Sequence, residues 1–162
     1  MSYFSDWGAN NVTMKAGSIK RASSSNDKVW GEVNLTSDDI AYGTFVAVNA
    51  NGGIKKISAS TDLVHGIVVR DIYANDAAPN DKTVNVGHFS HGDCVVAQGV
   101  DGVTFARGEK VYVVPTGADA GKVTNVAEDM IDLGYWVEEV SAGNDCVAIT
   151  LGYTQTVLNA VP

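Results

Sequence analysis

The feature that most constrains this chain is an internal repeat: Ala41–Glu139 holds one small β unit written twice. The first copy reads Ala41-Tyr42-Gly43-Thr44-Phe45-Val46-Ala47-Val48, a turn at Gly52-Gly53, Ile54-Lys55-Lys56-Ile57, then Val64-His65-Gly66-Ile67-Val68-Val69. The second reads Ala106-Arg107-Gly108-Glu109-Lys110-Val111-Tyr112-Val113, a turn at Gly117–Gly121, Lys122-Val123-Thr124-Asn125-Val126, then Asp132-Leu133-Gly134-Tyr135-Trp136-Val137. Each copy has a glycine opening a strand, a turn, a short strand, and a glycine in an apolar strand. A Cys-Val strand follows each, at Cys94-Val95-Val96 and Cys146-Val147-Ala148, which places the two cysteines at matching positions of the halves. Short strands joined by tight glycine turns, repeated, predict an all-β fold built from two related halves.

Along the strands, alternation puts Phe45, Ala47 and Asn49 on one side and Val46 and Val48 on the other. Asn49–Gly53 is a hairpin turn, Gly66 marks a bulge or close backbone approach, and Asp71–Lys82 is the longest loop. Single helical turns are expected near Thr36–Ala41 and Glu128–Leu133. No three-four periodicity is sustained over a dozen residues, so the body, residues 31–153, reads as a small β-barrel or β-tulip with a short tail at 154–162.

Residues 1–30 differ from the rest. Tyr3, Phe4, Trp7, Val12, Met14, Ile19 and Trp30 are scattered among Ser, Asn, Gly and Lys without periodicity, although Val12–Lys15 suits a short strand. The segment holds four basic residues (Lys15, Lys20, Arg21, Lys28) against two acidic ones, in a chain of net charge −8. An extended arm that cannot bury its own aromatics either folds back over the body or lies on a partner with those side chains as anchors. The second reading assigns Tyr3, Phe4, Trp7, Val12, Met14, Lys15, Ile19 and Trp30 to an interface. The acidic body argues against nucleic acid as partner, and no apolar run is long enough to span a bilayer.

The residues do not suggest catalysis. There is no Gly-x-Ser-x-Gly, no phosphate-cradling glycine loop before a helix, and no nucleophile with a base at an arguable spacing. His88, His91 and Asp93 form a weak metal pattern, since strand positions three apart diverge, and turn residues explain them better. The oxygen-rich loop Asp71–Asp81 lacks calcium-loop spacing. Asp38-Asp39 and Glu138-Glu139 read as solvated faces. Cys94 and Cys146 read as reduced core thiols. No enzyme activity, metal or cofactor is expected.

Over about Ile40–Leu151 the chain resembles the capsid cement (decoration) proteins of tailed bacteriophages. The glycine-opened strands Tyr42-Gly43-Thr44-Phe45-Val46 and Arg107-Gly108-Glu109-Lys110-Val111-Tyr112 carry the likeness, with His65-Gly66-Ile67-Val68-Val69. So does the ending, Asp132–Glu139 followed by Gly143–Gly152. The resemblance implies a structural virion protein, made in the host bacterial cytoplasm, that binds the outer capsid surface, commonly as a homotrimer, and cements neighbouring major capsid protein subunits. A tail or head-fibre module, or a carbohydrate-binding module using Tyr112, Tyr135 or Trp136 as a platform, is the alternative.

Overall fold

The computed structural model describes residues 13–22, 28–71 and 77–152. The strands β9 (Cys94–Gln98) and β13 (Cys146–Leu151) lie side by side, antiparallel, with Val96 opposite Ala148. Their continuous apolar runs are explained by burial on both faces. Val95, Ala97, Val147 and Ile149 point into the main core, while Cys94, Val96, Cys146 and Ala148 point into a second layer that Met14 and Ala16 close from outside.

As expected, the fold is all-β and built from two related halves. In the first half, β2 (Val29–Val33), β8 (Thr83–Gly87), β6 (Val64–Val68), β4 (Phe45–Val48) and β5 (Ile54–Lys56) form a sheet in that spatial order. The sheet curls until Asn34, just past β2, bridges Ile54 of β5, and the Leu35 N–H donates to the Ile54 carbonyl at 3.0 Å. The second half repeats the order: β9, β13, β12 (Tyr135–Val140), β10 (Tyr112–Val113), β11 (Val123–Thr124). Val111 N–H to the Tyr135 carbonyl and Val137 N–H to the Glu109 carbonyl join β12 to the run ending in β10. Here Gly99, just past β9, bridges Val123, and the Val100 N–H donates to the Val123 carbonyl at 2.9 Å. Asn34 thus corresponds to Gly99, and Leu35 to Val100. Neither half is a closed barrel, since each curl meets its own edge through one such bridge.

This equivalence corrects the phase of the repeat. Cys94 sits on the first strand of the second half, matching β2, and Cys146 sits on the last, matching β8, so the two cysteines are not at equivalent positions. Gly66 lies inside β6, with the Gly87 carbonyl 2.5 Å from where a Cβ would stand. Gly134 instead precedes β12 in the left-handed region, φ 80°. No helical turn forms at Thr36–Ala41 or Glu128–Leu133. Ile40–Ala41 is strand β3, pairing with β7 (Ala77–Ala78) inside the long loop, because Ile40 and Ala78 gain burial over the first half's core. Residues 72–76 of that loop lie outside the described residues.

The alternation read for β4 holds. Phe45 and Ala47 enter the main core, while Val46 enters a separate core inside the first curl with Tyr42, Ile54, Val68, Val84 and Val86. Burying twelve aliphatic side chains in the main core and seven in the core of the first curl supplies the driving force that a chain of short strands needs.

Candidate interaction surface

The N-terminal segment meets the body through β1 (Ile19–Arg21), which pairs with the outer edge of β9. The strand expected at Val12–Lys15 is therefore displaced along the chain, and Thr13–Lys15 is irregular. Gly17 N–H donates to the Val96 carbonyl at 2.8 Å, Val96 N–H donates to the Ser18 carbonyl at 2.9 Å, and Arg70 N–H donates to the Gly17 carbonyl at 2.8 Å. Gly17 has φ 79°, and a Cβ there would stand 2.8 Å from the Arg70 nitrogen, so only glycine lets the segment lie this close. Upstream, the Met14 N–H donates to Ser141 Oγ and the Met14 carbonyl accepts from Asn144 Nδ2, both at 2.8 Å.

Charge fixes the same segment. Arg21 forks onto Glu138 (2.9 and 2.7 Å), Lys20 pairs with Glu139, and Lys28 pairs with Asp93, which is buried. The Arg21 hydrogen bonds hold the Glu138 carboxyl below its usual range. The acid pair read as a solvated face is a clamp for the arm, and the arm's positive charge answers this body's own acids.

Of the eight interface residues named from sequence, Tyr3, Phe4, Trp7 and Val12 lie outside the described residues. Met14 is buried in its own chain, whereas Lys15 is exposed and Ile19 is 38% exposed. Trp30, on β2, is 44% exposed. It stacks on His88 with centroids 3.5 Å apart and donates from Nε1 to Glu32 Oε1 at 3.0 Å. His65 closes the group, 4.7 Å edge-on to His88 and 3.1 Å from the same Glu32 oxygen. Burial, then the neighbouring His65, holds the His88 imidazole below its ordinary value. This aromatic–histidine group joins residues far apart in sequence, and the sequence signal for it, a Trp on an edge strand, is weak.

Among the described residues His88, His91 and Asp93 do not gather as a ligand group; His88 stacks its ring face on Trp30, and Asp93 accepts from Lys28, Ser90 N and Ser90 Oγ. Tyr135 is buried against Phe45 (5.5 Å), and the next residue, Trp136, faces outward, 38% exposed, so the two make no shared platform. Burial pushes the Cys94 thiol up to about 12, and both cysteines are reduced.

A scan of protein families matches residues 4–151 to the model described as XM1 gp53 minor capsid protein. The chain belongs to the XM1 gp53 minor capsid protein family. A minor capsid protein of this kind is a structural component of the virion, associated with the capsid, and the resemblance to phage capsid proteins stands. Among solved structures, a chain in "The capsid of Myoviridae Phage XM1" has the same fold, at TM-score 0.68 and 19% identity, covering 86% of this chain and 91% of that one. No curated protein sequence matches. The family match takes in both the two-half body and nearly all of the N-terminal segment, so the segment belongs to the family's common plan.

Proposed function

We propose that this minor capsid protein binds the outer capsid surface as a trimer and cements neighbouring major capsid subunits, without catalysing a reaction. The family match carries this reading, and the geometry of the N-terminal segment supports it. Residues 13–21 are fixed on the body by strand pairing, the Gly17 contact and the Arg21–Glu138 fork. The residues before them start from a rigid base. Tyr3, Phe4, Trp7 and Val12 then bury against capsid subunits or neighbouring copies, with Lys15, Ile19 and Trp30 on the body's surface at the contact. Many identical sites on one shell make modest affinity per site sufficient.

Because Met14 and β1 belong to the body, a test of the segment has to stop at residue 12. Full-length chain and a chain lacking residues 1–12 are each mixed with expanded capsids devoid of the protein and imaged by cryo-electron microscopy. Full-length chain gives regular density outside the shell and the shortened chain does not. Full occupancy by the shortened chain defeats the role given to the segment; a bare shell with the full-length chain defeats the cement role.

A further inference from the structure

The two halves leave an open cavity of about 300 Å3 at their seam. Phe45, Val64 and Phe89 line it from the first half, and Leu133, Tyr135 and Leu151 from the second. Val64, Leu133 and Leu151 pack against the main core yet stay only partly buried. Tyr135 is 9% exposed, and its hydroxyl makes no hydrogen bond among the described residues. A buried tyrosine hydroxyl ordinarily finds a partner, and apolar walls give water little to bond to. The cavity therefore suits a mostly apolar group that carries one polar atom.

The described chain ends at the rim of this cavity. Strands β12 and β13 pair in the register Tyr135 to Leu151 and Trp136 to Thr150. The Gly152 N–H donates to the Gly134 carbonyl at 3.0 Å, so the same register continues past both strands. Tyr135 and Leu151 are on the cavity side. Gly152 instead lies against Trp136 on the outer face, where a Cβ would stand 2.2 Å from the indole Cδ1.

We propose that Tyr153 of the same chain seats its ring in this cavity and pins the two halves together. One further step of the register sets residue 153 opposite Leu133, a wall of the cavity. Alternation after Gly152 turns its side chain to the cavity side. The residue there is a tyrosine, whose ring meets Phe45, Phe89 and Tyr135 and whose hydroxyl enters the same space as the unpartnered one of Tyr135. A ring tethered one residue beyond the rim also reaches the cavity at an effective concentration that a second copy does not match.

Nuclear magnetic resonance on the full-length chain tests this. Tyr153 ring protons give nuclear Overhauser contacts to the methyls of Val64, Leu133 and Leu151, and these contacts persist on dilution. Tyr153→Ala moves the signals of those methyls and leaves Val46 and Val84, in the separate core of the first curl, where they were. The Gly152 amide then exchanges roughly tenfold faster or more, because the last ladder bond loses its cover. Tyr153→Phe keeps the ring and keeps the methyl signals in place. A chain ending at Gly152 matches Tyr153→Ala and still melts cooperatively. Absence of the Overhauser contacts overturns the inference, as do methyl signals that ignore Tyr153→Ala. Contacts that fade on dilution overturn it too, since the ring would then come from a second copy. The inference does not rest on the cement reading, and its failure leaves that reading to the capsid-binding experiment.

Discussion

Met14→Ala isolates what holds the N-terminal segment to the body. Met14 packs with Ala16 over Cys94, Val96, Cys146 and Ala148. Truncation removes three side-chain heavy atoms, about 2.5 kcal/mol of transfer free energy at about 0.8 per methylene-sized group. The site lies at the rim, where Met14 is 8% exposed, so water relieves part of the added cavity term, and the net loss is about 2–3 kcal/mol. The backbone bonds to Ser141 and Asn144 remain, so the change weakens docking of the segment without abolishing it. The two thiols beneath report that docking directly, because a buried thiol reacts only when its cover opens. At a factor of ten per 1.4 kcal/mol, labelling of Cys94 and Cys146 by a soluble thiol reagent rises roughly 30- to 140-fold, with a matching loss in urea denaturation. A labelling rate within threefold of the unaltered chain would falsify the view that residues 13–16 are a layer of the core.

Two further outcomes follow from the electrostatics. His88 is held neutral by burial and by His65, with Glu32 opposing, so the unfolded chain binds the extra proton first. Stability conferred by neutral His88 is complete above the ordinary histidine range and falls as pH drops below about 6.5. His88→Phe keeps a ring for Trp30 to stack on and flattens that acid-side decline in melts run from pH 7.5 to 5; an unchanged slope assigns the decline to other groups. Lys28→Met takes the Lys28 ammonium from the buried Asp93, to which Ser90 still donates. The expected loss is about 2–3 kcal/mol in chemical denaturation, below the usual range for a broken buried pair because Ser90 persists. A loss under 0.5 kcal/mol refutes a structural role for this pair.

The strand-and-turn grammar was local, and so it was legible. Glycines at Gly43, Gly53 and Gly121 stand where φ is positive, and alternation in β4 sorts Phe45 and Ala47 from Val46. Legible too was the repetition itself, because each half must close its own small core with the same pattern of short apolar strands. The partition of that repeat was not. Cys94 and Cys146 share a Cys-Val beginning, but a dipeptide carries no information about which neighbour a strand will pair with.

Tertiary structure also decided the fate of the N-terminal segment. An irregular run with Met14, Lys20 and Arg21 is compatible with an arm lying on a partner or on its own body. Only the position of β9's edge, the Cys94–Ala148 layer and the Glu138–Glu139 clamp selects the body for residues 13–21. Local sequence fixes backbone propensity and which side of a strand is apolar, because both depend on near neighbours. Which strand edge the segment fills depends on pairings between residues far apart in the chain, and those exist only once the two halves have packed together.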